Sequence, residues 1–180
     1  MSTEISPRII EMASKVRLLI LDVDGVLTDG GIVLDGGSAE LKVFHVRDGH
    51  GLVMLKKAGV KVAIISGRNS GVVDRRAREL GITEVHQECH NKIVPYEKLL
   101  VKLAIADEDV AYIGDDVVDI PLFKRVGFPI AVADAVEEAK AAALFITDAR
   151  GGRGAVREIC ELILKANGKW SGLLDEYNQT

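Results

Sequence analysis

The sequence has few aromatic residues, no excess of positive charge and no long apolar run. Aromatic residues make up 4% of the chain against 48% hydrophobic residues, so the core must consist mainly of aliphatic side chains and alanine. That composition suits a parallel sheet covered by helices. The formal net charge of −4 provides no general attraction for nucleic acid or an anionic membrane. Any phosphate binding must therefore depend on a local site.

Only two cysteines are present, Cys89 and Cys160, and neither has a C-x-x-C or Cys/His ligand spacing around it. We expect packed free thiols rather than a redox or zinc site. No apolar run approaches the roughly 20 residues that a membrane-spanning helix needs. The N-terminus, with Glu4 and Glu11, lacks a signal-peptide pattern. These absences predict a soluble cytoplasmic protein.

Strand and helix patterns alternate along the 180 residues, without a linker, repeat or low-complexity segment. The length fits one domain, residues 1–180. Strands are predicted at 17–22, 61–66, 84–86, 109–114, 128–132 and 143–147, and helices at 6–14, 51–59, 70–80, 92–104, 135–142 and 154–166. Regular alternation of this kind predicts an α/β fold, a doubly wound, mostly parallel sheet with helices on both faces.

Three local features stand out between these elements. Residues 30–45 read as two strands around the glycine turn at 36–38, a small hairpin flap. Ser6 and Pro7 suit the start of the first helix, and Asp48 suits the cap of the second. The glycine-rich loop 151–154 precedes the last predicted helix, and the tail from about 168 to 180 has no clear pattern.

Reactive side chains follow the predicted strands at the point where each strand ends. Asp22 and Asp24 follow the first strand, Ser66 ends the second, and Asp115 follows a later one, while Lys92 begins a helix. Because ligands bind outside the carboxyl ends of parallel strands, we expect these side chains to converge.

Each of these groups has a task in phosphoryl transfer to a carboxylate. A carboxylate and a phosphate dianion repel, so a divalent cation must join them, and Mg²⁺ prefers oxygen ligands such as Asp22 and Asp115. Lys92 and the Ser66 hydroxyl suit the remaining phosphate charge. Asp24 can protonate the leaving alkoxide and then activate water.

The ordered set resembles the four motifs of the haloacid dehalogenase (HAD) phosphatases. The motifs are Asp22-Val-Asp-Gly-Val26, Ser66 within Ile64-Ile-Ser-Gly-Arg68, Lys92, and Gly114-Asp-Asp-Val-Val-Asp119. The resemblance implies a HAD-like Rossmannoid fold and Mg²⁺-dependent catalysis. The chain further resembles the 3-deoxy-D-manno-octulosonate 8-phosphate (KDO 8-phosphate) phosphatases, over roughly residues 10–168. Four segments carry this resemblance: Phe44-His-Val-Arg-Asp-Gly49, Ser66-Gly-Arg68, Asn91-Lys92 and Gly151-Gly-Arg-Gly-Ala-Val-Arg-Glu158.

This closer resemblance implies hydrolysis of KDO 8-phosphate, on the route to lipopolysaccharide, through an aspartyl phosphate. By the family pattern Asp22 is the nucleophile, Asp24 is the acid/base and a metal ligand through its backbone carbonyl, and Asp115 is the third ligand. Asp116 and Asp119 are expected in the second coordination sphere. The substrate contacts of the family correspond to His45, Val46, Arg47, Asp48, Gly49, Arg68, Arg76 and Lys92.

One position departs from the family pattern, since Val53 stands where some relatives have arginine. A nonulosonate 9-phosphate is therefore an alternative substrate. The chain has no room for a cap domain between its motifs, and capless relatives form tetramers. We expect a homotetramer in which residues 30–45 pack between subunits. Arg153 is a candidate for reaching a neighbour's substrate carboxylate.

Simpler interpretations stay open for most of these residues. Asp22, Asp24 and Asp115 could cap turns, Ser66 could be a turn residue, and Lys92 a solvated lysine. Arg47, Arg68, Arg76 and Arg153 could form surface ion pairs or lie at helix starts. His45 could pack in the flap, and Asp119 could orient rather than ligate. A phospho-accepting receiver module is the alternative function of another class, although such a module places its acidic pair and acceptor on different strands.

Overall fold

The structure is a computed structural model that describes residues 5–36 and 40–178. Eight strands are present within these ranges: β1 Leu18–Leu21, β2 Val33–Leu34, β3 Glu40–Leu41, β4 Lys61–Ile65, β5 Glu84–His86, β6 Val110–Gly114, β7 Phe128–Ala131 and β8 Phe145–Ile146. The α-helices of the same ranges are α1 Pro7–Lys15, α2 Val46–Lys57, α3 Gly71–Glu79, α4 Ile93–Leu103, α5 Ile120–Phe123, α6 Glu137–Ala142, α7 Ala155–Ala166 and α8 Trp170–Asn178.

Six strands form one parallel sheet in the order β5-β4-β1-β6-β7-β8. From β1 the chain builds outward to β5 on one side, then returns to β6 and builds outward on the other side. Right-handed crossovers in opposite directions place helices on opposite faces of the sheet. The predicted doubly wound fold is confirmed, and the order reverses beside β1, where ligand crevices form.

Aliphatic residues make the central strands because both faces of the sheet are covered. All four residues of β1 are fully buried, as are all five of β6. Tyr96, Tyr112 and Phe128 are the largest fully buried side chains of the core. One helical layer consists of α1, α2 and α7, in which α7 packs against both α1 and α2.

The first helix begins as predicted. Ser6 is its N-cap, accepting a hydrogen bond from the backbone N–H of Ile9 at 3.5 Å, and Pro7 is the first helical residue. Proline suits that position because its missing N–H would have no partner inside the helix.

Several predicted boundaries are wrong. Helix α2 begins at Val46 rather than after Asp48, and Asp48 lies inside it. The hairpin strands β2 and β3 have two residues each, and they pair in antiparallel register with Val33 opposite Leu41. The predicted hairpin turn at 36–38 lies partly outside the described residues, which omit 37–39. The tail, for which no structure was predicted, forms α8 up to Asn178.

The described ranges between the sheet strands contain no cap domain. Only the hairpin and α2 lie between β1 and β4, and only α3 and β5 lie between β4 and the start of α4. Among the described residues, no helix combines the length and hydrophobicity needed to span a membrane.

Candidate active site

Residues from three adjacent strands meet at the carboxyl edge of the sheet. Asp22 directly follows β1, Ser66 follows β4 and Asp115 follows β6. Because β1 lies between β4 and β6, the three side chains share one cavity of about 280 Å³. The cavity is lined by Asp22, Asp24, Ser66, Gly67, Arg68, Cys89, His90, Lys92, Asp115, Asp116 and Val118. The predicted convergence is observed, and the volume suits a small metabolite.

The buried Lys92 links the first acidic motif to the last one. The Lys92 ammonium lies 3.0 Å from a carboxylate oxygen of Asp22, 2.6 Å from one of Asp119 and 3.1 Å from the Tyr112 hydroxyl. Lys92 is 5% exposed, so the solvated-lysine interpretation is wrong. The two carboxylates raise the pKa of Lys92 in spite of its burial, and the lysine therefore stays charged.

Asp119 orients its neighbours instead of facing the cavity. One carboxylate oxygen accepts hydrogen bonds from Lys92 and Tyr112, and the other accepts from the backbone N–H groups of Asp115 and Asp116 at 2.9 and 3.2 Å. Its oxygens lie close enough to those of Asp22 and Asp115 to share a metal. However, four protein donors already bind the Asp119 oxygens. Of the two predicted alternatives, orienting neighbours and binding the metal, the contacts therefore favour orientation.

Asp22 and Asp115 form an acidic pair that fits a divalent cation. Burial, followed by the charges of Asp22 and Asp119, raises the pKa of Asp115 to about 8, and burial raises the pKa of Asp22 to about 6. One buried carboxylate oxygen of Asp115 has no hydrogen-bond partner among the described residues. A hard cation such as Mg²⁺ would both satisfy that oxygen and offset the repulsion.

Gly25 permits the Asp115 carboxylate to lie against the loop after β1. The backbone of Gly25 has φ +88°, and a Cβ there would overlap the Asp115 carboxyl group. Both the left-handed backbone and the close approach require glycine. The glycine after the two acids is thus part of how the first and last motifs meet.

The hairpin delivers a lysine that the sequence analysis did not single out. The Lys42 ammonium pairs with Asp24 and lies 3.3 Å from Glu40, and its side chain is 1% exposed. Arg68 lies 3.6 Å from the other carboxylate oxygen of Asp24 and 2.8 Å from Glu40. The spacing of Glu40 in β3 and Lys42 just after it was the available signal, since residues two apart in an extended chain point to one face.

Two further predictions concern Ser66 and the cysteines. The Ser66 hydroxyl is buried and accepts a hydrogen bond from the Arg68 backbone N–H at 3.4 Å, so it both shapes the turn and lines the cavity.

Cys89 and Cys160 are free thiols, and burial raises the pKa of each. Thiols with a raised pKa are poor nucleophiles, in agreement with the predicted packing role.

Asp48 is buried and bonded to backbone, not open to a ligand. Its carboxylate accepts hydrogen bonds from the N–H groups of Gly154 at 3.2 Å and Arg157 at 2.7 Å, at the start of α7. The predicted capping role is correct in kind, but the helix that Asp48 caps is α7 and not α2. A buried ring nitrogen of His45 lies 3.7 Å from the same carboxylate and has no hydrogen-bond partner in the described ranges.

The other predicted substrate residues, at the start of α2 and in α3, lie outside the cavity. Arg76 stacks over Phe44 at 5.8 Å and pairs with Glu79 at 3.3 Å. Gly49 is buried, and a Cβ there would overlap the Arg76 guanidinium. Val46 and Arg47 are exposed. Within the described ranges, none of residues 45–49 and 76 lines the cavity that contains Asp22.

The glycine-rich loop packs on the loop that carries Asp24. The Gly152 N–H donates to the Val26 carbonyl at 2.8 Å, and a Cβ at Gly151 would overlap the Gly25 carbonyl oxygen. Arg153 is exposed and pairs with Asp29 at 3.0 Å, outside the cavity lining in the described part of the chain. The loop therefore supports the backbone of the acidic motif.

Similarity to known proteins agrees with this arrangement. A family model described as a haloacid dehalogenase-like hydrolase matches residues 71–159. The chain is 48% identical to the 3-deoxy-D-manno-octulosonate 8-phosphate phosphatase of Salmonella typhimurium over 165 residues, which cover 92% of this chain and 88% of that protein.

Solved structures are similar over nearly the whole fold. The 3-deoxy-D-manno-octulosonate 8-phosphate phosphatase of Yersinia pestis is 46% identical, with a TM-score of 0.92 over 93% of this chain and 91% of that one. The enzyme of Moraxella catarrhalis, in complex with magnesium, phosphate and KDO, is 43% identical, with a TM-score of 0.92 over 94% and 97%. The resemblance read from the motifs is thus confirmed, and the chain belongs to the 3-deoxy-D-manno-octulosonate 8-phosphate phosphatase family of HAD-like hydrolases.

Proposed function

We propose that this protein hydrolyses KDO 8-phosphate to KDO and inorganic phosphate with Mg²⁺, in lipopolysaccharide biosynthesis. The observation that carries the proposal is the contact between Asp22 and the buried Lys92, beside the Asp115 oxygen that has no hydrogen-bond partner among residues 5–36 and 40–178. It combines a nucleophile, a fixed cation and a metal position in one cavity. The names of the relatives, and the magnesium, phosphate and KDO in the Moraxella catarrhalis structure, support the choice of substrate.

The carboxylates of Asp22 and Asp115 and the backbone carbonyl of Asp24 would hold the Mg²⁺ ion. When bound, the ion supplies positive charge that allows an anionic phosphate to approach an anionic carboxylate. The raised pKa values of Asp22 and Asp115 support this assignment, because burial, together with the neighbouring carboxylates, disfavours ionised forms that a bound cation would stabilise.

Asp22 and Asp24 divide the reaction between them. An Asp22 carboxylate oxygen attacks phosphorus, the bond from phosphorus to the sugar oxygen breaks, and Asp24 donates its proton to that oxygen. Asp24, now a carboxylate, takes a proton from water while the water oxygen attacks the aspartyl phosphate. Phosphate leaves, and both aspartates return to their starting states.

Fixed donors stabilise the charge that the phosphoryl group carries during both steps. Lys92 lies beside the Asp22 carboxylate, and Ser66 lines the same cavity, so both are available to the phosphate oxygens. Asp119 holds Lys92 and the Asp115 backbone in place. Asp116 caps the short turn after β6 by accepting from the Val117 N–H at 2.6 Å, and in this proposal it supports the metal site without coordinating.

A neighbouring subunit completes the sugar site in this proposal. Residues 45–49, Arg76 and Arg153 lie outside their own cavity, and the exposed members of this set, Val46, Arg47 and Arg153, are available to another one. The hairpin and the start of α2 expose an apolar surface, made of Ile32, Val33, Leu34, Leu41, Val43 and Val46. Such a patch is typical of protein interfaces. We assign it to a homotetramer, and we place the enzyme in the cytoplasm, where free cysteines such as Cys89 and Cys160 persist.

The deciding experiment compares kcat/KM for KDO 8-phosphate, a nonulosonate 9-phosphate and glucose 6-phosphate with Mg²⁺. The proposal expects a clear preference for KDO 8-phosphate and none of this activity in Asp22→Asn, whose folding is checked by circular dichroism. Equal values for all three substrates would contradict the substrate but not the chemistry. A stable aspartyl phosphate without turnover would contradict the phosphatase itself and favour a receiver-like function.

A further inference from the structure

The hairpin lysine Lys42 occupies an unusual place for a residue on a projecting strand. It lies next to β3, between the exposed side chains of Leu41 and Val43, yet its own side chain is 1% exposed. Its ammonium reaches back to the loop after β1 and pairs with Asp24. Burying a lysine requires a strong local reason, because desolvation of the ammonium is costly.

The carboxylate of Asp24 is held from two sides. Lys42 pairs with Oδ1, and Arg68 lies 3.6 Å from Oδ2. Glu40 contacts both cations, at 3.3 Å from Lys42 and 2.8 Å from Arg68. Two cations on two different oxygens fix the rotation of the carboxylate about its Cβ–Cγ bond.

The two cations differ in exposure, and this difference separates their roles. The Arg68 side chain is 47% exposed and lines the cavity. Its guanidinium can therefore leave Asp24 and pair with an incoming anion instead. Lys42 is buried and has no comparable freedom to leave Oδ1. When Arg68 turns to a substrate, Oδ2 of Asp24 becomes free to exchange a proton with a reacting oxygen, while Lys42 still holds the other side.

We propose that Lys42 is a positioning residue of the hydrolysis, which holds one oxygen of Asp24 so that the other faces the leaving oxygen and later the attacking water. The inference rests on the proposed function, because it assigns Asp24 the proton transfers described above. It makes the hairpin a working part of its own active site, in addition to any interface that the hairpin forms. It also separates Lys42 from Arg68, whose contribution is to substrate binding.

The test compares two substrates that differ in their need for an acid. The sugar alkoxide of KDO 8-phosphate must be protonated as it leaves, whereas p-nitrophenolate departs without a proton. Single-turnover measurements report phosphoryl transfer from KDO 8-phosphate, and the burst of p-nitrophenolate reports the same step with p-nitrophenyl phosphate. For Lys42→Met we expect a loss of about 100-fold with KDO 8-phosphate and less than about fivefold in the burst.

Binding and folding are measured on the same variant. In an Asp22→Asn background, Lys42→Met should leave the Kd of KDO 8-phosphate with Mg²⁺ within about twofold, whereas Arg68→Met should weaken it at least tenfold. Lys42→Arg should recover part of the lost rate. Glu40→Gln is the matched control, because it removes the partner shared by both cations and leaves the pairing of Lys42 with Asp24.

The outcomes separate the inference from the proposed function. Equal losses with both substrates in Lys42→Met, or a weakened Kd, would overturn the positioning role, since a structural or substrate-binding role would act on both. A loss in Glu40→Gln as large as that in Lys42→Met would also overturn it, in favour of simple anchoring of the hairpin. Absence of phosphatase activity in the wild-type protein would instead overturn the proposed function.

Discussion

The Lys92 ammonium and the Asp119 carboxylate lie 2.6 Å apart, and both side chains are buried. The two residues are 27 positions apart in the sequence, and Asp119 lies in the turn after β6. Together they connect the lysine motif to the last acidic motif and leave Lys92 beside Asp22 at 3.0 Å. The proposed phosphate site is therefore built on a buried ion pair whose members depend on each other.

Replacing Asp119 by asparagine should destabilise the fold and reduce turnover together. The two carboxylate oxygens of Asp119 accept from Lys92, Tyr112 and two backbone N–H groups. An uncharged amide has only one acceptor oxygen, so some of these buried donors would lose their acceptor. We expect a loss of about 3 kcal/mol in the free energy of unfolding, measured by urea denaturation. Asp116→Asn is the control, since asparagine also caps well and the change should cost less than about 1 kcal/mol. Equal effects of the two changes would contradict the special role of Asp119.

The stability of the Mg²⁺-free protein should fall as the pH rises from about 4 to about 8. Asp22 and Asp115 have a pKa raised from the ordinary value of 3.8 to about 6 and about 8, so the folded state binds more protons than the unfolded state in this range. Raising the pH removes those protons and weakens the folded state. Mg²⁺ binds the deprotonated carboxylates, and it should therefore raise Tm more at the upper end of this range than at the lower end.

The comparison is made by thermal unfolding with EDTA or Mg²⁺ at several pH values. The variant Asp115→Asn should have a shallower loss of stability with pH and a much smaller response to Mg²⁺. Burial also raises the pKa values of Asp48 and Glu158, so both affect the pH dependence of stability. The difference between the variant and the wild type gives the contribution of Asp115 alone. The same pH dependence in both proteins would contradict the assignment of Asp115.

Adding one methyl group in the glycine-rich loop should impair the metal site without touching it. The Cβ of alanine at position 151 would overlap the Gly25 carbonyl oxygen, so the loop must move away from the backbone beside Asp24. We expect Gly151→Ala to cost about 2 kcal/mol of stability and to raise the Mg²⁺ concentration needed for half-maximal activity. Gly172→Ala is the control, because a Cβ there meets nothing within 4 Å and alanine favours the helix.

A charge on the hairpin should separate the subunits if the apolar patch is an interface. Leu34 is 70% exposed, so Leu34→Glu should have little effect on the folding of one subunit. Light scattering should then show loss of the tetramer, with a lower kcat/KM for KDO 8-phosphate. Val101→Glu is the control, since Val101 is 84% exposed on α4. An unchanged mass for Leu34→Glu would contradict the proposed interface.

The local pattern of the chain was enough to predict most of the fold. Continuous aliphatic runs gave β1 and β6 because a strand buried on both faces carries no polar alternation. Short elements were less predictable. The strands β2 and β3 have two residues each and are much shorter than the pattern indicated, and α8 lacked a recognisable signal, since weakly apolar segments depend on what they pack against.

By itself, the sequence determined which acids, hydroxyl and lysine follow which strands, and hence the chemistry around Asp22 and its family. Only the tertiary structure decided how those groups are partnered. It placed Asp48 under α7, kept residues 45–49 away from their own cavity, and brought Lys42 from the hairpin onto Asp24. The reason is physical: strand periodicity and motif order are local properties, whereas burial of a charge depends on segments distant in the chain that meet only when the sheet is formed.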